Sequence, residues 1–305
     1  PKETVGIWAV YMMVNNFSYL IDFGFNTTFA RNITYVLSGA RNLKKEGFEN
    51  LSNSYNDIDY SLLKGLIQSM KWVYFRLSII LLVILVIFGT YYIFSLLQAY
   101  PEDKKEVFFS WYILILINSY YIYSLYYESL LVGKGMIKKS KQIFVLAQIS
   151  YLITAIVLIL NGFGLIAIVS AQVISVIISR WLSYKAFFTP ELMKNLRKAA
   201  CLPIKDVLKI IYPNAVKIGL TSLGGFLIQR SSIIIGSLYL TLGEIATYGI
   251  TMQILNILSG FSAIYTNTFL PKITYLRLFN NKEEIKQLYL KGEFVIFSTI
   301  LFCGV

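Results

Sequence analysis

The amino-acid sequence predicts an all-α, polytopic bundle of membrane-spanning helices, and three observations carry that prediction. Apolar residues come in blocks near or above twenty, the length needed to cross a hydrocarbon core about 30 Å thick. Only 14% of the 305 residues are charged and mean hydropathy is +0.62, against about 25% charged residues in soluble domains. The basic residues also collect in alternate loops. Backbone groups inside lipid must be satisfied within each segment, so the blocks read as helices and not as the shorter alternating strands of a barrel.

Seven full spans and one partial span follow in order. The first runs from Val5 to Leu37, the second from Trp72 to Leu97 and the third from Val107 to Val132. The fourth covers Gln142–Leu160 and the fifth Phe163–Phe188, separated by an Asn161-Gly162 turn. The sixth covers Tyr212–Tyr239, the seventh Ile245–Pro271, and the eighth begins at Phe294. The division expected is residues 1–188 as most of one lobe, 189–211 as a linker and 212–305 as the start of a second. Leu62, Leu63, Leu66, Ile67 and Met70 recur at helical spacing, as do Met193, Leu196 and Ala200, then Val207, Ile210 and Ile211. Those stretches read as helices in the membrane interface or as plain linkers.

Net charge is +12, from 28 Lys and Arg against 16 Asp and Glu. Loops Ser38–Arg76, Gly133–Lys141, Arg180–Lys217 and Lys272–Lys291 hold 23 of the 28 basic residues. The opposite loops hold only Lys2, Lys104 and Lys105. By the positive-inside rule the basic loops face the cytoplasm, so the charge reports orientation and not nucleic-acid binding. Histidine is absent and cysteine occurs only at 201 and 303. That excludes histidine-ligated metal, Ser-His-Asp or Cys-His catalysis and a disulfide framework; no cofactor and no catalytic residue is expected. With Pro at position 1 and an apolar run at its end, the chain reads as part of a longer membrane protein.

The region from Glu3 aligns with the region from Glu244. Asn15, Ser18, Asn26 and Thr27 then meet Asn256, Ser259, Asn267 and Thr268, and Arg31 meets Lys272. Both copies enter from the same side, a parallel repeat of the kind that places substrate between two halves of a transporter. On a continuous helix Asn15, Ser18, Asp22 and Asn26 form one polar stripe. Such a stripe looks into a cavity or makes hydrogen bonds to another helix.

Gly6-Ile7-Trp8, then Tyr19 through Phe25 with Asp22 and Gly24, and Arg31, resemble the second helix of bacterial polysaccharide flippases. Gly162 through Ala167 resembles their turn between helices five and six. Gln229-Arg230 through Gly236, followed by Gly243 through Gly249, is similar to their passage from helix seven to eight. The resemblance is to the O-antigen and capsule flippase group of the multidrug/oligosaccharidyl-lipid/polysaccharide export superfamily. It implies a two-lobe, parallel-repeat flippase fold in the bacterial cytoplasmic membrane. It also implies alternating access, with an undecaprenyl-pyrophosphate-linked oligosaccharide as substrate and the polysaccharide polymerase and chain-length proteins as partners beside membrane lipids. Gln229 departs from the pattern, where relatives carry an acid before the arginine, which removes support for a local acid–arginine pair.

Charges inside spans are costly and usually serve function. Arg230 lies thirteen residues from Lys217 and fourteen from Glu244, roughly 20 Å from either boundary at helical rise. It is a candidate for holding pyrophosphate or for a structural salt bridge to Asp22. Arg31 is a second substrate candidate, or snorkels at the inner interface. Asp22, and Glu128 near the cytoplasmic mouth, are candidates for binding a coupling H⁺ or Na⁺. Asn15, Asn26, Tyr120 and Tyr123 are candidates for the sugar, the tyrosines offering stacking and hydroxyls or serving as packing and interfacial anchors. The rival readings are a cation-coupled multidrug exporter of the same superfamily, disfavoured by a cationic cavity, and a membrane glycosyltransferase or polymerase, disfavoured by short outer loops.

Overall fold

The computed structural model describes residues 2–43, 58–99, 104–200, 202–241, 243–245, 247–257, 260 and 282–303. Among the described residues all regular structure is helical. Four helical stretches are long and apolar enough to cross a membrane: Tyr60–Leu96, Lys104–Gly133, Ile137–Leu160 and Gly164–Phe187. Packing separates two compact units, Glu3–Ser232 and Ile233–Val305.

In the first unit, the first span expected from the sequence is not one helix. It divides into α1 (Lys2–Leu20) and α2 (Phe25–Leu37), joined by a turn over 21–24. Phe23 and Gly24 have φ of 47° and 75°, left-handed values that stop a right-handed helix. A Cβ on Gly24 would sit 2.7 Å from Ile218, so glycine serves both the turn and a close helix approach. Asn15, Ser18, Asp22 and Asn26 therefore do not form a single stripe, because the break rotates the chain between Ser18 and Asn26.

Helix α3 (Tyr60–Ile84) begins twelve residues before the expected span, with Asp59 accepting from the Ser61 and Leu62 N–H groups at 2.9 and 3.0 Å. This carboxylate cap satisfies otherwise orphaned donors. Leu62, Leu63, Leu66, Ile67 and Met70 are buried, so that stretch is an N-terminal extension of the long helix, packed into the bundle. A π-helical turn over Leu85–Gly89 leads into α4 (Thr90–Leu96). Helices α5 (Lys104–Tyr123) and α6 (Tyr126–Gly133) are separated by a turn at Ser124 and Leu125. Helices α7 (Ile137–Leu160) and α8 (Gly164–Phe187) form a hairpin over the Asn161-Gly162 turn, where Gly162 has φ of 84°.

Which faces turn inward follows from side-chain size and polarity. The buried residues of α7 are Ile143, Ala147 and Ala155, a stripe of mostly small residues against α8, where Ala167 and Ala171 are fully buried. The Ser175 hydroxyl donates to the Ala147 carbonyl across that seam at 2.8 Å. Small residues and interhelical hydrogen bonds are how helices associate in lipid, where no hydrophobic force separates side chain from solvent. Phe75, Ile80, Ile87, Phe88 and Phe94 of the α3–α4 stretch are exposed, as a lipid-facing surface requires.

At the α8 end of the first unit, α9 (Pro190–Lys198) is short and amphipathic. Thr189 caps it, Pro190 opens it, Leu192 and Leu196 are buried, and Arg197 and Lys198 close it. Lys64 donates to the Ala199 carbonyl at 2.6 Å, fixing the helix end beside α3. Helix α10 (Ile204–Tyr239) follows with Pro213 in its interior. The approach of Phe23 to Gly219 leaves no room for a side chain there, as expected of a glycine permitting close helix contact.

The second unit contains the rest of α10, helical residues 243–245 and 247–257, and α11 (Lys282–Cys303). Thr241 and Glu244 form a reciprocal cap: Glu244 accepts from the Thr241 N–H and hydroxyl, while its own N–H donates back to the hydroxyl at 3.4 Å. This arrangement starts a helix efficiently, and its hydrogen bonds hold the Glu244 carboxyl below the usual range. Of the second copy of the proposed repeat, Asn256 is exposed, while Ser259, Asn267, Thr268 and Lys272 lie outside the described residues.

Glycine substitutions check this packing. Gly24→Ala should destabilise the protein by about 2 kcal/mol or more through positive φ and collision with Ile218. Gly225→Ala, in α10 where an added Cβ meets nothing within 4 Å, should leave thermal unfolding in detergent unchanged or raise it.

Candidate functional site

Two polar clusters occupy the interior of the first unit. The first is built on the break between α1 and α2. Where α2 begins, its first backbone donors have no intrahelical acceptors. The Asp22 carboxylate supplies them, accepting the Asn26 N–H at 3.1 Å on both oxygens. The Tyr74 hydroxyl, fully buried on α3, donates to Asp22 Oδ1 at 2.7 Å. Ser129 of α6 hydrogen-bonds Asn26 Oδ1 and lies within reach of the Tyr74 hydroxyl. Glu128, its neighbour in sequence, is close enough to repel Asp22. One carboxylate thus ties the start of α2 to α3, and Asn26 ties the same turn to α6.

The second cluster lines a cavity of about 300 Å³ among α1, α5, α6, α7 and α8. Asn118 of α5 donates to Asn15 Oδ1 at 2.7 Å, and Gln172 of α8 exchanges hydrogen bonds with Asn15, both at 3.3 Å. Three amides from three helices so converge on one wall. Trp8, Tyr121, Glu128, Lys141, Tyr151 and Arg180 also line the cavity. Arg180 is buried, only 7% exposed, and its guanidinium lies 4.7 Å from the centre of the Tyr121 ring.

The expected site residues are distributed unevenly over this geometry. Asn15 and Glu128 reach the cavity; Asp22 and Asn26 belong to the cluster at the α1–α2 break instead. Tyr120 and Tyr123 do not line the cavity: Tyr120 is 43% exposed, and Tyr123 packs edge-on against Phe75 and Tyr126. Their neighbour Tyr121 takes the inward position. Arg31 is exposed on α2 and is not part of this cavity. Arg230 lies on α10, but its side chain falls outside the described residues. Among the described residues no group of His, Cys, Asp or Glu is arranged to hold a metal.

Three participants are not among the site residues expected from the sequence. Gln172 is the lone amide among residues 163–188, a signal that was present. Asn118 sits within the tyrosine-rich span. Arg180 was grouped with the basic loop that it begins. Compared with family models, curated proteins and solved structures, the chain matches none.

The cluster at the α1–α2 break makes a direct prediction. Tyr74→Phe removes the donor to Asp22 and leaves a buried carboxylate under-satisfied, so unfolding in detergent should become easier by about 1–3 kcal/mol. An unchanged unfolding midpoint would show that the Tyr74 hydroxyl does not secure the break.

Proposed function

We propose that this chain moves an undecaprenyl-pyrophosphate-linked oligosaccharide across the bacterial cytoplasmic membrane by alternating access, with its basic loops on the cytoplasmic side. In this reading the spans number seven with an eighth beginning, arranged as two lobes related by a parallel repeat. The observation that carries the proposal is a polar cavity inside an otherwise apolar bundle, walled by Asn15, Asn118 and Gln172. Lipid-facing helices gain nothing from such a wall. An amphipathic substrate with hydroxyls does, because each amide offers both a donor and an acceptor.

The cluster at the α1–α2 break supplies the moving part. Discontinuous helices in transporters place substrate or ion sites at their break, and Asp22 stands at this one. With the carboxylate charged, Tyr74 and the first turn of α2 are held to it. A proton or Na⁺ arriving at Asp22 competes for the same oxygens, loosening α2 from α3 and so coupling ion uptake to helix movement. Arg230 on α10 serves as a further contact for the anionic part of the substrate from the second lobe. The positive charges of Arg180 and Lys141 at the cavity favour an anionic lipid over the cationic drugs carried by exporters of the same superfamily.

Full-length protein reconstituted in vesicles should transfer a fluorescent undecaprenyl-pyrophosphate oligosaccharide between leaflets. Asn118→Leu should reduce the rate about tenfold or more, by removing one of the two donors to Asn15 Oδ1 and one amide from the cavity wall. Asp22→Asn should leave residual transfer insensitive to the imposed H⁺ or Na⁺ gradient. Wild-type protein that fails to transfer this lipid but extrudes an organic cation would replace the reading with the exporter. Gradient dependence retained in Asp22→Asn would remove Asp22 from coupling.

A further inference from the structure

Arg180 is a buried cation without a counter-charge. Its side chain is 7% exposed and its Nε has no hydrogen-bond partner. Among the described residues its side chain forms neither an ion pair nor a hydrogen bond, and its guanidinium lies over the ring of Tyr121 at 4.7 Å. Retaining a charge in such a place is strongly unfavourable unless something pairs with it. Bundles normally meet that requirement with an acid on a facing helix. The one acid among the lining residues, Glu128, forms no ion pair with Arg180, and Lys141 adds a second cation to the same lining.

We propose that this cavity is an oxyanion site centred on Arg180, built for the phosphate-bearing head group of a ligand. The proposal deepens the transport reading, on which it rests for the identity of the lipid but not for the site itself. A guanidinium presents a planar fork of donors matched to two phosphate oxygens. The Tyr121 ring, 4.7 Å from the guanidinium carbon, contacts the cation through its π face and takes up none of its N–H donors. A second buried donor on the same cavity, the indole N–H of Trp8, is likewise unpartnered. Both idle groups donate, so the missing ligand is an acceptor. On the same lining the Asn15–Asn118–Gln172 wall can exchange hydrogen bonds with hydroxyls.

Size narrows the ligand further. About 300 Å³ is at the lower limit for small-molecule sites, enough for a head group and too little for a long glycan. A phosphate in a lipid head group and a soluble phosphate present the same oxygens to Arg180, so the two sources must be separated by experiment.

The test uses full-length protein in phosphatidylcholine nanodiscs. One arm titrates inorganic pyrophosphate; the other incorporates phosphatidylglycerol and counts retained lipid by native mass spectrometry. Wild-type protein should bind at least one probe at a single saturable site. Arg180→Gln should weaken that binding about tenfold or more, as loss of a charge-assisted pair implies, and Arg180→Lys should keep part of it. Ligand-free Arg180→Gln should melt no lower than wild type, since an unpaired buried charge has gone. Binding of pyrophosphate alone identifies a soluble anion, and of phosphatidylglycerol alone a lipid head group; either supports the site. Absence of saturable binding to both probes overturns it, as does undiminished binding by Arg180→Gln. A lower melting point with unchanged affinity likewise overturns it, by assigning Arg180 to structure. Failure of oligosaccharide transfer with Arg180-dependent binding intact would refute the glycan substrate and leave the oxyanion site standing.

Discussion

The first unit depends on how the break between its first two helices is satisfied. Phe23 and Gly24 take left-handed conformations, which frees backbone donors at the start of α2. Inside an apolar helix bundle each such group left unpaired is expensive. Asp22 accepts them, and its own charge is then balanced by hydrogen bonds from Tyr74 and the backbone. The interruption therefore fixes which residue of α3 must be a buried donor. Through the Asn26–Ser129 contact it also fixes how α6 approaches. Gly133 closes that approach, since a Cβ there would lie 2.6 Å from Ile33 and 2.7 Å from the Ala30 carbonyl.

The same logic separates the outside of the bundle from its inside. Lipid cannot distinguish Leu from Phe by hydration, so the exposed faces of α3 and α7 need only be apolar. The interior has to be specified by fit and by hydrogen bonds. Trp111 shows both: its ring fills the space beside Gly89 at the π-helical turn, and its N–H donates to Thr90 at 3.0 Å. Tyr11 donates to the Val107 carbonyl at 2.8 Å next to it. At one end of α8, Glu106 accepts the Leu165 N–H at 2.8 Å, capping that helix from α5. Polar groups packed this way are consumed by structure, which sets apart the few that are not.

Much of this was legible in the sequence, and the remainder escaped for physical reasons. Apolar block length finds helices because lipid imposes it, and the Asn161-Gly162 turn reads directly from residues that tolerate its geometry. The break after Leu20 was hidden because Asp22-Phe23-Gly24 is short and flanked by apolar residues, so block length runs straight through it. Tyr120, Tyr121 and Tyr123 illustrate a different difficulty. Consecutive positions on a helix point about 100° apart, and a run of like residues carries no periodicity to say which faces inward. Neighbouring helices decide that, and they chose Tyr121.

Arg180 escaped for a third reason, and it bears on how charge is read in membrane chains. Counting basic residues by loop treats each as an orientation signal, and a residue at the end of a span is absorbed into the count with Lys185 behind it. Lys185 behaves as that count assumes: it is exposed, with its ammonium over the Trp181 ring. Arg180, five residues earlier, does not. Five residues are about one and a half helical turns, so the two side chains leave α8 in nearly opposite directions, one toward the exterior and one toward the cavity. Their charges are identical in sequence and differ in consequence. A solvated lysine needs no partner, whereas a buried guanidinium requires one, and the walls of this cavity do not provide it.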